Sequence, residues 1–302
     1  GTSFTANMVN GCTYLMLDPR FAFKWQLANS TSFKMSYTHM SQSIHRMASS
    51  FLELPTDFWV PTTNEIKPTM SHQIAAGIYT QPSTHLTLSL EAYYKLSSHL
   101  LQYRHWMGFQ PSAATWNRDV ADGKGKSYGM EADATYTTGN TKVSMAYTLS
   151  WSKRLFKDIY PTWFDDQFDN RHKINISLSH DFSQRISLYA AWTFHSGNRV
   201  TMPVGYTIQP NIPGDNKYSY DYIFDRPNNF SLPAYHRMDI GANFRHTTRH
   251  GKEGIWNVSL YNAYCHLNTM YVKVRLDDNN KFQIKSHGYI PIIPSVSYTL
   301  KF

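Results

Sequence analysis

Three carboxylates fall close together at Asp165, Asp166 and Asp169. Grouped oxygens of this kind are what a hard cation such as Ca²⁺ takes as ligands, but their spacing matches no EF-hand loop. They read as an acidic loop, solvated or facing lipopolysaccharide, with a metal site as the alternative. The fourteen histidines are scattered. His236-Arg237-Met238-Asp239 contains no H-E-x-x-H pair, and no other histidine has metal-ligand spacing. No G-x-S-x-G elbow, P-loop or dinucleotide fingerprint is present. The sequence therefore nominates no catalytic residue, no metal ligand and no cofactor. Cys12 and Cys265 are too few and too far apart for a disulfide framework or a zinc site, and a bond between the two stays open.

Aromatic residues carry the stronger signal: 17 Phe, 8 Trp and 21 Tyr make 15% of the chain. Phe58 and Trp59, Phe109 and Trp116, Trp163 and Phe164, and Tyr218, Tyr220, Tyr222 and Phe224 all lie in stretches rich in Pro, Asp and Asn. Flat rings beside such residues can stack on sugars, porphyrins or aromatic siderophores while their neighbours bond the edges. The alternative is that the rings pack the loops against one another. Trp59, Trp116, Trp163, Phe164 and Tyr222 are the candidate ligand contacts.

The elements that must hold these residues are strands. A chain this rich in aromatics is not disordered. Its mean hydropathy of −0.47 comes without the long apolar run of a spanning helix, and 14 Pro with 15 Gly argue against a coiled coil. The net charge of +8 is spread singly or in pairs, without the basic block of a nucleic-acid binder. Period-2 alternation recurs instead. Val143, Met145, Tyr147, Leu149 and Trp151 interleave with Ser144, Ala146, Thr148, Ser150 and Ser152, as on a strand with one apolar and one polar face. The same pattern runs through Leu86–Lys95, Lys173–Ser179, Ile186–His195 and Val296–Phe302. About eleven strands are expected, near 19–28, 33–48, 71–81, 86–106, 125–138, 141–156, 172–182, 185–203, 234–249, 255–276 and 281–302.

Short turns rich in Gly, Asn, Pro and Ser alternate with long connections at 49–70, 107–124, 157–171 and 204–233. Aromatics recur near strand ends, at Trp25, Trp106, Trp151, Trp192, Trp256, Tyr298 and Phe302. Long strands, alternating connections and aromatic girdles fit an all-β, antiparallel up-and-down transmembrane β-barrel segment better than a soluble sandwich or jelly roll. The apolar parity is expected to face lipid: Leu88, Leu90, Val143, Met145, Ile174, Ile176 and Leu188. The other parity, with Glu91, Asp133, Ser144, Thr148, Lys173 and Ser177, is expected to face the lumen. Bacterial barrels have even strand counts. About eleven strands therefore suggest part of a longer chain, with residues 1–18 the tail of an extracellular loop and the C-terminus periplasmic.

Specific stretches then resemble a known family. Leu17-Asp18-Pro19-Arg20 and Lys67-Pro68-Thr69-Met70-Ser71-His72-Gln73 open strands, as does Ser127-Tyr128-Gly129-Met130-Glu131. Phe168-Asp169-Asn170-Arg171-His172 precedes the alternating Ile174 strand, Leu232-Pro233-Ala234-Tyr235-His236-Arg237-Met238-Asp239-Ile240-Gly241 follows a long loop, and Pro294-Ser295-Val296 leads into the last strand. Together they resemble the C-terminal half of the barrel of TonB-dependent outer-membrane receptors, of the Bacteroides-group type. The resemblance implies a twenty-two-stranded barrel in the Gram-negative outer membrane, with residues 1–302 its C-terminal part and the plug and signal peptide outside this sequence. It implies energised uptake of a ferric siderophore, haem, cobalamin or glycan, not catalysis. It also implies the TonB complex as a partner through the plug, outer-membrane lipid and lipopolysaccharide around the barrel, and a possible surface lipoprotein. Tyr298, Leu300 and Phe302 resemble the C-terminal signal read by the barrel-assembly machinery. A passive porin, and a surface adhesin or carbohydrate-binding β protein without transport, are the alternatives.

Overall fold

The structure, a computed structural model, describes residues 1–9, 12–47, 58–104, 116–209, 219–277 and 281–301. Twelve strands pair in chain order: β1 (Thr2–Val9), β2 (Cys12–Ala28), β3 (Thr31–Gln42), β4 (Thr69–Ser83), β5 (Leu86–Tyr103), β6 (Val120–Thr138), β7 (Thr141–Leu155), β8 (His172–Asp181), β9 (Ile186–His195), β10 (Tyr235–Thr247), β11 (Glu253–Tyr261) and β12 (Ile293–Leu300). Every neighbouring pair is antiparallel. No pairing joins β1 to β12 among the described residues, so the sheet has two open edges.

The register sorts the side chains as their alternation requires. Opposed residues of an antiparallel pair share a face. Trp25, Phe33, Ile78, Leu90, Ala132, Tyr147, Ile174 and Phe194 form one continuous row across eight strands. Leu88, Ala134, Met145 and Ile176 form the next part of the same face. On the opposite face Lys34, Gly77, Glu91, Glu131, Thr148, Lys173, His195 and Tyr235 form a row of their own. All thirteen residues assigned to the two parities from sequence lie on the expected sides. The apolar face is left open: Leu90 is 47% exposed, Met145 45% and Val296 64%. Aromatics bound it at both ends, with Phe21, Tyr37, Tyr94, Tyr128 and Trp151 at one and Phe244, Trp256 and Tyr298 at the other.

Short turns join β2 to β3, β4 to β5, β6 to β7, β8 to β9 and β10 to β11, all at one rim. Gly139 and Gly251, with φ of +49° and +74°, supply left-handed backbone in two of them. The long connections rise at the other rim. They form a ribbon of Ile44–Met47 with Phe58–Pro61, one of Gly205–Gln209 with Ser219–Ile223, and one of Tyr271–Leu276 with Phe282–His287.

Three expectations change. Residues 2–9 and 12–18 are strand rather than loop tail, because Ser3–Asp18 through Val9–Cys12 form a regular antiparallel ladder. With twelve strands the count is even and gives no reason of parity to expect a longer chain. The expected strands 255–276 and 281–302 each divide, since Tyr271–Leu276 and Phe282–His287 alternate as strands do but pair only with each other. This makes 262–292 a fifth long connection. The run 33–48 likewise breaks at Ser43, beyond which Ile44–Met47 joins a rim ribbon.

Candidate functional site

The polar face carries several groups of hydrogen bonds and ion pairs. Tyr79 donates its hydroxyl to Glu91 Oε2 at 2.6 Å, and the Lys34 ammonium lies 3.7 Å above the Tyr79 ring centre. Ser89 donates to Asp133 at 3.2 Å. Further round the sheet, Arg237 pairs with Asp239 at 2.9 Å and stacks 4.1 Å over Tyr261, while its guanidinium donates to the Tyr235 hydroxyl. His195 stacks flat on Tyr235 at 4.8 Å. Nearer the short turns, Asn257 donates to Asn243 at 2.7 Å and to the Tyr189 hydroxyl at 3.0 Å. Gly241 makes room for that tyrosine: a Cβ there would lie 2.3 Å from the Tyr189 ring. The wall is therefore wettable and charged with both signs, acidic at Glu91, Glu131 and Asp133 and basic at Lys173 and Arg237.

Among the described residues, three small clusters hold the long-loop rim. Met47, Val60, Ile66, Tyr103 and Val120 form one, with Leu101 against it. Ala121, Phe156 and Phe164 form another with Leu100, Ile159 and Tyr160. Val200, Met202 and Leu232 form the third with Val272 and Val274. Each fully buried side chain of this size contributes about 1.5–3 kcal/mol, which fixes connections that would otherwise be costly to order. His45 sits in the first cluster's ribbon, 3.1 Å from the Thr69 hydroxyl. Burial pushes its imidazole below the usual histidine range, against the raising influence of Asp122.

Asp165, Asp166 and Asp169 are neither solvated nor a metal cage. Arg154 contacts Asp166 through Nε at 2.9 Å and through its terminal nitrogen at 2.8 Å. Arg171 pairs with Asp169 at 3.0 Å, and Arg199 reaches Asp165 at 3.4 Å and Asp169 at 3.7 Å. Asp169 also accepts the Ser152 amide at 2.7 Å, with its side chain 1% exposed. Three arginines brought from separate elements neutralise the cluster, which spacing along the chain does not reveal. No group of metal-ligating side chains occurs among the described residues, and Cys12 and Cys265 are free.

The candidate aromatics are dispersed along the rim. Trp59 is 61% exposed on the Phe58–Pro61 strand. Trp116 opens a 3₁₀ turn, Trp116–Arg118, and its side chain lies outside the described set. Trp163 is partly covered by Lys126, whose ammonium lies 4.3 Å from its ring centre. Phe164 is enclosed at 3% exposure, with its ring packed among Phe156 and Tyr160. Tyr222 faces Phe224 and Phe282 at 6.5 and 6.3 Å. Phe109 and Tyr218 fall outside the described residues, as does Trp106. In the last strand Tyr298 packs on Trp256 at 4.7 Å and Leu300 opposes Gly254, while Phe302 lies outside the described residues.

A rim cleft of about 450 Å³ was not legible beforehand. Lys67, His99, Arg104, Arg118, Asp122 and Asp158 are among its lining residues. His99 holds a φ of +57° at a bulge between Ser98 and Leu100, which turns its ring onto Asp122 at 2.8 Å. Arg104 pairs with Asp158 at 2.6 Å. Bulges have no alternation signature, so only the folded backbone brings these groups together.

An antiparallel sheet with an exposed apolar face, aromatic borders and a hydrated opposite face is the wall of an outer-membrane barrel. The family described as TonB dependent receptor-like, beta-barrel, matches residues 6–264, and the chain belongs to it. Solved structures agree in fold. The ferric yersiniabactin uptake receptor FyuA from Yersinia pestis aligns with a TM-score of 0.62 at 11% identity, covering 96% of this chain and 38% of that one. The pyoverdine outer membrane receptor FpvA from Pseudomonas aeruginosa PAO1 gives 0.56 at 13%, covering 95% and 36%. The copper transporter OprC gives 0.55 at 14%, covering 85% and 35%. The chain thus spans little more than a third of these proteins' length. No curated protein matches it. The family is one of outer-membrane transport receptors, not of enzymes.

Proposed function

We propose that residues 1–302 form the C-terminal part of the barrel of a longer receptor that takes up a scarce nutrient under TonB control. The observation that carries this is the sheet itself. Twelve strands run in strict sequence with opposite-natured faces, yet both edges are open among the described residues. An unpaired edge is not tolerated in hydrocarbon, where each unsatisfied backbone group costs several kcal/mol. Further strands therefore complete the ring, with β12 pairing to the parent's first barrel strand. A porin made of this chain alone would need β1 on β12.

In this arrangement the long connections are extracellular and the short turns and C-terminus periplasmic. The charged polar face lines the lumen around a plug that engages TonB. In this reading Trp59, Trp116, Trp163 and Tyr222 meet the cargo, and Phe164, enclosed in the rim core, supports them from within. The cargo class is a ferric siderophore, haem, cobalamin or glycan; iron-siderophore and copper transport by proteins of the same fold favours a metal chelate. Tyr298 and Leu300, with Phe302, serve as the strand recognised by the barrel-assembly machinery, and outer-membrane lipid and lipopolysaccharide surround the apolar face. A surface lipoprotein is a further partner. Bacteroides-group membership rests on the order and spacing of the resembling stretches taken together, from Leu17–Arg20 to the last strand.

The test is growth of a strain lacking its own receptors, carrying the full-length gene, on single ferric chelates, haem, cobalamin or glycans. Growth on one of these that is lost on deleting TonB supports the proposal. TonB-independent growth, or diffusion of unrelated small solutes, would contradict it.

A further inference from the structure

The ribbon Tyr271–Leu276 with Phe282–His287 has two unlike faces, set by its register. Val272, Val274, Ile284 and Phe282 share one face. Val272 and Val274 pack on the Val200 cluster, and Phe282 meets Tyr206 and Tyr222 at 5.6 and 6.3 Å. The other face carries three opposed pairs: Tyr271 with His287, Lys273 with Lys285, and Arg275 with Gln283.

That second face is unusual in two independent ways. Lys273 stands directly across from Lys285, and like charges in this position destabilise a strand pair. No carboxylate lies on the face to offset them, and no ion pair involves Lys273, Arg275 or Lys285 among the described residues. The nearest acid along the chain, Asp277, lies past the strand end, where its side chain accepts the Lys281 amide. Beside the cations is a stack of near-parallel rings, with the Lys273 ammonium 5.7 Å from the Tyr271 ring centre. Tyr271 stacks on His287 at 4.8 Å and 13°, His287 on Tyr289 at 6.3 Å and 14°, and the two tyrosine hydroxyls bond at 2.6 Å. Successive pairs on one face lie about 7 Å apart, so rings and cations together span about 13 Å.

We infer that this face binds an acidic sugar, a pyranose bearing a carboxylate, sulfate or phosphate. The flat rings take the apolar side of the sugar, and Lys273, Lys285 and Arg275 take its anionic group through charge-assisted hydrogen bonds. The occupant supplies the negative charge that the ribbon lacks. Such a group can come from a soluble acidic oligosaccharide or from the phosphorylated sugars of the cell's own lipopolysaccharide. The inference does not depend on which nutrient the receptor carries.

The experiment uses the full-length receptor in detergent, titrated calorimetrically with tetragalacturonate and with neutral maltotetraose. A second arm uses phosphatidylcholine vesicles carrying lipopolysaccharide, before and after phosphatase treatment. The acidic probe should bind and the neutral one should not, with affinity falling as salt rises. The double variant Lys273→Gln, Lys285→Gln should weaken binding about tenfold or more. Tyr271→Ala should weaken it without changing the salt dependence. Binding of tetragalacturonate assigns a soluble source; phosphatase-sensitive binding of the vesicles alone assigns the lipid. Equal binding of acidic and neutral probes, no binding in either arm, or full affinity in the lysine double variant would overturn the inference. Because the variants leave the polar face untouched, TonB-dependent uptake reports separately on the transport proposal.

Discussion

Ile176 offers the sharpest test of the sheet's sidedness. It sits on β8 between Met145 and Trp192 and is 36% exposed on the apolar face. Five residues separate it from Asp181, where β8 ends at the short-turn rim. At about 3.3 Å per residue and a tilt of about 40°, it lies about 13 Å above that rim. An apolar band about 25 Å tall puts this height near the bilayer midplane, where Ile176→Arg should cost about 2–4 kcal/mol. The adjacent Ser177 faces Ser144 and Ala191 on the polar side. Ser177→Arg enters a hydrated lumen and should cost about 0.5 kcal/mol or less. Urea titration of the full-length receptor in lipid vesicles measures both. Equal penalties, or a larger one at Ser177, would refute the assignment of faces and indicate a buried core instead.

Other outcomes follow from the rim and the lumen wall. Asp169→Ala strips Arg171, Arg199 and the Ser152 amide of a nearly enclosed acceptor; it should destabilise the rim by about 3 kcal/mol, seen as faster amide exchange across residues 157–171. Gly241→Ala drives a methyl into the Tyr189 ring and should cost about 1–3 kcal/mol, with the Tyr189–Asn257 hydrogen bond lost in a structure of the variant. His45 is held neutral by burial, so its folded value lies below its unfolded one. Rim stability should therefore be full above about pH 6.5, decline as pH falls below that value, and finish declining below the depressed folded value. Amide exchange in Ile44–Met47 and Phe58–Pro61, measured against pH, reads this directly, and His45→Gln should flatten the profile.

The spanning strands were legible because one physical demand dominates them. Lipid on one side and water on the other impose alternation, and Val143–Trp151 or Ile186–His195 leave little choice of register. Thr2–Val9 alternates as well, with Phe4, Ala6 and Met8 against Ser3, Thr5 and Asn7, but so short a run does not by itself show that β2 lies alongside as a full ladder of partners. Tyr271–Leu276 and Phe282–His287 alternate just as well as barrel strands. Alternation reports two unlike faces and not which strand lies beside which, so it does not separate this ribbon from Glu253–Tyr261 and Ile293–Leu300. The rim was the least legible region. Asp169 finds Arg199 thirty residues away, and the cleft depends on a bulge at His99. Phe164 and Trp59 look alike in sequence, yet one is core and the other open to solvent.

The central proposal, that these strands are one arc of a larger ring, is tested most directly by a distance between the sheet's two edges. Phe4 on β1 and Val296 on β12 are both exposed on the apolar face, at 65% and 64%. Spin labels at these two positions in the full-length receptor report their separation by double electron–electron resonance. Strands about 4.8 Å apart, tilted by about 40°, give a barrel of about twenty-two strands a diameter of about 44 Å, so outward-facing labels on edges half a turn apart should read about 50 Å. A separation below about 20 Å would mean that β1 and β12 are neighbours, and that the chain closes on itself.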